Sequence, residues 1–259
     1  MNRIEDMFQK KNKRVLSVYF TAGYPFLNNI ERTILALESN GADMVEIGIP
    51  YSDPLADGEV IQETGKVAIA NGMTLKTLFI QLEHIRAKTS IPLVLMGYLN
   101  PIIQFGFSSF CTKASSAGVD GLIIPDLPLY EYRRHYKAII EKNRLSNIFL
   151  ITPLTSDQRI LEIDKMSTGF IYMVSSAATT GGTRSFTESQ LDYFKRVAEM
   201  RLINPTMVGF GIHNHKTLEQ VYSNGHGAII GSAYLRAVSG RKEVESATSD
   251  FFRSLNKMD

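Results

Sequence analysis

The chain has 259 residues, 44% hydrophobic and 21% charged, and its 28 Lys and Arg against 26 Asp and Glu leave a net charge of only +2. That balance supplies no field to hold nucleic acid or an acidic membrane surface, and no apolar run reaches bilayer-spanning length. A single cysteine, Cys111, excludes disulfides within the chain and cysteine-based zinc sites.

The start, M-N-R-I-E-D-M-F, lacks the apolar core of a signal peptide, which points to a cytosolic protein. Ile4, Met7 and Phe8 give it an amphipathic pattern and predict an N-terminal helix. The basic cluster that follows, K-K-N-K-R at 10–14, reads as a solvated helix end rather than a binding arm.

Short apolar runs then recur, and the pattern predicts strands at 15–20, 44–49, 92–97, 121–126, 148–152, 170–175, 206–211 and 228–232. Their Val and Ile content and near-continuous apolarity suit parallel strands covered on both faces. Between them lie helical spacings such as Ile30, Ile34, Leu35, Leu37 and Leu75, Leu78, Phe79, Leu82. N-G-A-D-M-V-E-I-G (40–48), A-G-V-D-G-L-I-I-P (117–125) and N-G-H-G-A-I-I-G (224–231) repeat one device: a glycine suited to ending a helix, a short connection, a buried strand. Alternation of this kind over about 250 residues is the pattern of a (β/α)8 TIM barrel, although an open doubly wound sheet shares the local signals. No linker or composition shift divides the chain, so residues 1–259 are expected to form one domain with an extra N-terminal helix.

Within the second strand, M-V-E-I-G-I-P, a carboxylate interrupts an apolar run. Alternation puts Met44, Glu46 and Gly48 on one face and Val45, Ile47 and Ile49 on the other. The apolar set should face the helices, which sends Glu46 inward near the strand's C-terminal end, where barrel active sites lie. Gly48 beside it is expected to leave room for a ligand. Desolvation would raise the pKa of such an acid into the range of proton exchange near neutrality; a structural carboxylate held by backbone N–H groups or a buried cation is the competing account. In the next loop, P-Y-S-D-P-L-A-D-G, Asp53 and Asp57 are ordinary turn residues, yet the spacing lets Asp57 fold back over the barrel mouth toward the same ligand.

Strands seven and eight end in V-G-F-G-I and I-I-G-S-A, where glycines let backbone N–H groups approach an anion, and His213-Asn214 is placed to open a short helix. S-S-A-A-T-T-G-G-T-R (175–184) suits a mobile lid, or a surface loop with no part in catalysis. His213 and His215 lack a third ligand for a metal, and there is no G-x-S-x-G elbow, G-x-G-x-x-G or P-loop, so no metal, triad or nucleotide cofactor is expected.

The stretch from Glu46 into S-D-P-L-A-D-G resembles the signature of the tryptophan synthase α subunits. F-T-A-G-Y-P, M-G-Y-L-N-P, G-L-I-I-P-D-L-P, T-T-G, G-F-G-I and G-S-A stand in the order of that family over nearly the whole chain. The resemblance implies retro-aldol cleavage of indole-3-glycerol phosphate, with Glu46 as acid/base and Asp57 as the carboxylate facing the indole N–H. It implies Tyr172 beside the glutamate, Thr180 as the lid residue meeting the aspartate, and Gly181, Gly211, Gly231 and Ser232 around the phosphate. Tyr19, Ile61 and Phe210 are similar to the walls of the indole pocket. It further implies an α2β2 complex with a β subunit that carries pyridoxal phosphate, this chain holding no cofactor, with Pro50, Asp53, Asn100 and Pro128 at positions that resemble the partner-facing loops. Two departures stand out. Glu59 replaces the usual proline after A-D-G and puts an extra acid near Asp57. Ser176 and Ala178 replace the lid's usual arginine and glycine.

A non-catalytic barrel that binds a phosphate ester and activates a β-type partner is the alternative, supported only by the lid. A phosphate-sugar isomerase or epimerase would share the glycine loops but not S-D-P-L-A-D-G.

Overall fold

Nine short parallel strands form the centre of the computed structural model, which describes residues 2–175 and 185–257. They are β1 (Val15–Thr21), β2 (Met44–Gly48), β3 (Leu93–Met96), β4 (Gly121–Ile123), β5 (Ser146–Ile148), β6 (Leu150–Ile151), β7 (Ile171–Val174), β8 (Thr206–Gly209) and β9 (Gly227–Ile230). Their order in the sheet is β5-β4-β3-β2-β1-β9-β8-β7-β6. The two strands at the ends of that order are joined through Phe149 alone, so the sheet curls into a nearly closed barrel and the chain itself bridges the gap. The fold is the expected TIM barrel, with the fifth predicted strand divided in two.

That strand also starts earlier than its apolar residues suggest. Ser146 and Asn147 are each 2% exposed and look wrong for a strand interior. Their groups are matched, however: Ser146 N–H donates to Asp120 O at 2.8 Å, and Asn147 N–H to Thr168 Oγ1 at 2.8 Å. A buried polar residue costs little once it is hydrogen-bonded.

All seven residues of β1 are buried, as expected for a strand covered by the sheet interior on one side and helices on the other. Register sets which residues share the interior. Tyr19 pairs with Glu46 and Glu46 with Val94, and directly paired residues point to the same face. In the repeated device, Gly41 (φ +103°) and Gly118 (φ +81°) do end their helices in the left-handed region; the helix His215–Tyr222 instead passes through Ser223 and Asn224 before Gly225.

The extra N-terminal helix, Arg3–Lys10, closes the barrel floor. Asn2 starts it with a capping box shared with Glu5, and the Asn2 amide also donates to Asp120 O and Ser146 Oγ. Ile4 is fully buried, and its Cδ1 would stand only 2.9 Å from a Cβ on Gly121. Burying an isoleucine contributes about 2 kcal/mol. The basic cluster behaves as a solvated helix end, with Lys10 on Asp6, Lys11 on Asp43 and Arg14 on Glu219.

Candidate active site

Glu46 points into the barrel from β2 and is fully buried. Its Oε1 accepts one hydrogen bond, from Ser17 Oγ on β1 at 3.0 Å, and its Oε2 has no partner. Among the described residues no buried cation or backbone N–H bonds it, which is not the surrounding of a structural carboxylate. Burial pushes its pKa from 4.5 up to about 8, against a smaller lowering by the Ser17 hydrogen bond.

Asp57 is the buried residue of an exposed loop: Leu55 beside it is 93% exposed, while Asp57 is 9% exposed. The loop is turned inward by local bonds, Asp57 N–H to Pro54 O at 3.1 Å and Gln62 Nε2 to Asp57 O at 2.8 Å. Ala56 N–H donates to the Tyr98 hydroxyl at 2.9 Å, which ties the loop to the end of β3. Desolvation raises Asp57 to about 6, and a hydrogen bond with Tyr98 opposes the rise. Glu59, by contrast, is exposed in the first turn of the helix Glu59–Ala70, where a negative charge complements the helix dipole. It is therefore not a third acid of the chamber.

Tyr19 from β1 and Tyr172 from β7 are buried with the acids, at 7% and 4% exposed. Both hydroxyls are pushed well above their ordinary pKa, first by burial, and the charges of both Glu46 and Asp57 add to the rise; the space around these two phenols is the candidate chamber. Gly48 does not leave room for a ligand as expected. A Cβ there would lie 2.0 Å from the Tyr19 hydroxyl oxygen, and one on Gly209 would lie 2.2 Å from that of Tyr172. The missing side chains admit the two phenols from the neighbouring strands β1 and β7 instead.

Phe210 packs edge-on to Tyr172, ring centroids 6.3 Å apart, in a left-handed backbone conformation (φ +69°). Ser175 Oγ donates to Phe210 O at 2.9 Å and joins the end of β7 to the loop after β8. Gly211 continues that loop in the open. Gly231 precedes the helix Ser232–Val238, and a Cβ on it would be 3.4 Å from the Tyr19 ring, which brings the glycine loop after β9 against the same chamber. Ile61 packs half-buried on the core at the mouth. Thr180, Gly181 and the departures Ser176 and Ala178 lie outside the described residues.

Ser17 and Tyr98 were not singled out by sequence reasoning. Inward alternation from Tyr19 marks Ser17, and Tyr98 stands in M-G-Y-L-N-P just past β3, so both carried a signal. Asn214 does cap the helix His215–Tyr222, its Oδ1 accepting from Thr217 N–H at 2.9 Å. No group of three or more His, Cys, Asp or Glu arranged to hold a metal occurs among the described residues.

Of the expected partner-facing residues, Asp53, Asn100 and Pro128 are exposed and Pro50 is half-buried. Asn100 Nδ2 donates to the Tyr51 hydroxyl at 3.1 Å. A cleft of ≈ 510 Å³ lies beside them, lined by Ile49, Pro50, Tyr51, Leu78, Pro101 and Phe105 among others and by neither carboxylate. It lies outside the chamber.

The family model described as tryptophan synthase alpha chain matches residues 6–258. The tryptophan synthase alpha chain of Flavobacterium psychrophilum is 51% identical over 97% of this chain and 100% of its own. That of Bacteroides thetaiotaomicron is 51% identical over 95% of this chain and 96% of its own. Among solved structures, tryptophan synthase subunit alpha from Legionella pneumophila aligns with a TM-score of 0.88 at 32% identity, covering 98% of this chain and 97% of that one.

Proposed function

This chain belongs to the tryptophan synthase alpha-chain family, and from that premise we propose that Glu46 and Asp57 are its catalytic carboxylates. The enzyme is a carbon–carbon lyase that cleaves indole-3-glycerol phosphate to indole and glyceraldehyde 3-phosphate in tryptophan biosynthesis. The observation that carries the residue assignment is the difference between the two acids. Near pH 7 Glu46, at about 8, keeps its proton, whereas Asp57, at about 6, is mostly ionised.

The reaction needs one of each. Glu46 gives its proton to C3 of the indole, and the positive charge that develops on the ring nitrogen is stabilised by the Asp57 carboxylate. Glu46, now ionised, takes the proton of the C3' hydroxyl as the C3–C3' bond breaks. That electron pair returns to the ring, which leaves as indole; C3' becomes the aldehyde carbon and Glu46 regains its proton. The ring is apolar, and Tyr19, Ile61, Tyr172 and Phe210 offer it an apolar lining. The phosphate is assigned to Gly211, Gly231 and Ser232, where backbone N–H groups suffice without a cation. Thr180 and Gly181 complete that set by their place in the family motif.

The partner is a tryptophan synthase β subunit in an α2β2 assembly, met by Pro50, Asp53, Asn100 and Pro128 on the C-terminal rim. Pyridoxal phosphate belongs to that subunit, and the reaction is placed in the cytoplasm. Release of indole by the purified chain, alone and with a β subunit, tests the reading. Glu46→Gln is expected to lose at least about 1000-fold in kcat while still binding substrate, and Asp57→Asn to be impaired with Glu46 intact. Retained turnover in Glu46→Gln would overturn the assignment; no turnover by the wild type alone or with its partner would leave the activating, non-catalytic role.

A further inference from the structure

Ser17 is the polar residue inside V-L-S-V-Y-F, fully buried on β1. A hydroxyl in a strand interior is costly unless bonded, and the side chain's hydrogen bond goes to Glu46. It approaches from one layer deeper in the barrel, since Ser17 pairs with Met44 while Glu46 pairs with Tyr19. Among the described residues nothing else bonds the Glu46 carboxyl, and Oε2 is left without a partner.

We propose that Ser17 is a positioning residue for Glu46: its hydroxyl holds Oε1 toward the barrel interior, so that Oε2 is the oxygen that gives and regains the catalytic proton. The inference rests on the role assigned to Glu46 above. In the acid form Oε1 accepts from Ser17, so the proton sits on Oε2. When that proton passes to the substrate carbon, the Ser17 hydrogen bond stays in place and stabilises the carboxylate, and the substrate hydroxyl then returns a proton to Oε2. Without the tether the carboxyl is free to rotate, and either oxygen can carry the proton.

The titratable groups facing this carboxyl are Tyr19 from β1, Tyr172 from β7 and, across the chamber, Asp57 from the loop after β2. Both phenols are held neutral by burial. Val94, its neighbour on β3, carries no charge. The Ser17 hydrogen bond lowers the Glu46 pKa, so removing it raises that pKa further. The alkaline limb of kcat, which marks loss of the Glu46 proton, therefore moves to higher pH.

The test compares kcat and KM across pH in wild type, Ser17→Ala and Ser17→Thr. It also follows the Glu46 carboxyl band by infrared difference titration, identified by its loss in Glu46→Gln. Ser17→Ala is expected to move the alkaline limb up by about one pH unit and lower kcat about tenfold, with KM within about twofold. Its C=O band should rise in frequency as the hydrogen bond disappears. Ser17→Thr, which keeps the donor, should restore both. A dead Glu46→Gln alongside an unmoved limb and band in Ser17→Ala would overturn this inference alone, as would a threonine variant displaced as far as alanine. Turnover surviving in Glu46→Gln would overturn the functional reading with it.

Discussion

The two ends of the barrel bury acids in opposite ways. At the floor, Asp120 receives Arg86 Nη2 at 2.7 Å and Leu93 N–H at 2.9 Å on one oxygen and Arg3 at 2.9 Å on the other. Asp164 is closed off similarly, by Ile203 N–H, Asn204 N–H and the Asn204 amide. At the mouth, Glu46 has one serine hydroxyl and Asp57 has a tyrosine, and among the described residues no cation serves either. A carboxylate surrounded by donors locks the elements around it. One that is desolvated and left nearly bare retains a proton it can transfer, at a cost to folding. The floor is built for stability, and the mouth carries the acids proposed for chemistry.

The largest expected effect exposes that cost. Below its ordinary value of 4.5, Glu46 is protonated in both the folded and unfolded chain; between 4.5 and about 8 only the unfolded chain ionises it, so stability falls as pH rises through this window and levels off above it. The loss amounts to at most about 5 kcal/mol. Urea unfolding of Glu46→Gln should therefore give a flatter pH dependence than wild type, and parallel curves would remove the contrast between the ends. At the floor, Arg86→Met leaves Asp120 short of its main cation and should cost roughly 3 kcal/mol. Indole release per folded molecule should not change; a matching fall in kcat would show that the ends are coupled.

A smaller effect sharpens the picture at the mouth. Tyr98→Phe removes the acceptor for Ala56 N–H and the hydrogen bond that lowers Asp57. Because the role proposed for Asp57 needs it ionised, the acidic limb of kcat/KM should move upward from about 6, with a fall of about tenfold in kcat/KM and little change in melting. An unmoved limb would detach Tyr98 from Asp57. The smallest is Asn2→Ala, which loses the capping box and should cost about 1 kcal/mol with no change in either limb.

Much of this was legible beforehand because strands and helices advertise themselves by period. Eight apolar runs at regular spacing led to the barrel, and inward alternation placed Glu46. The divided fifth strand was less readable, since Ser146 and Asn147 look polar until Asp120 and Thr168 are seen to satisfy them. Gly48 misled for a similar reason. A glycine in a strand reads as empty space, but its tenant is the Tyr19 ring from the neighbouring strand. Glu59 sits two residues from Asp57 in the chain, and a helix start turns it outward.

What the amino-acid order determined by itself is the alternation of elements, the face on which Glu46 lies, and the family motif that marks it and Asp57. These depend on neighbours a few positions apart. The tertiary structure alone decided which groups surround each acid: a serine from β1, a tyrosine just past β3, two phenols from β1 and β7, and, among the described residues, no cation. A carboxyl's protonation state depends on desolvation and on charges and donors within a few ångströms, and barrel closure brings those together from residues up to 155 positions apart in the chain, as with Ser17 and Tyr172.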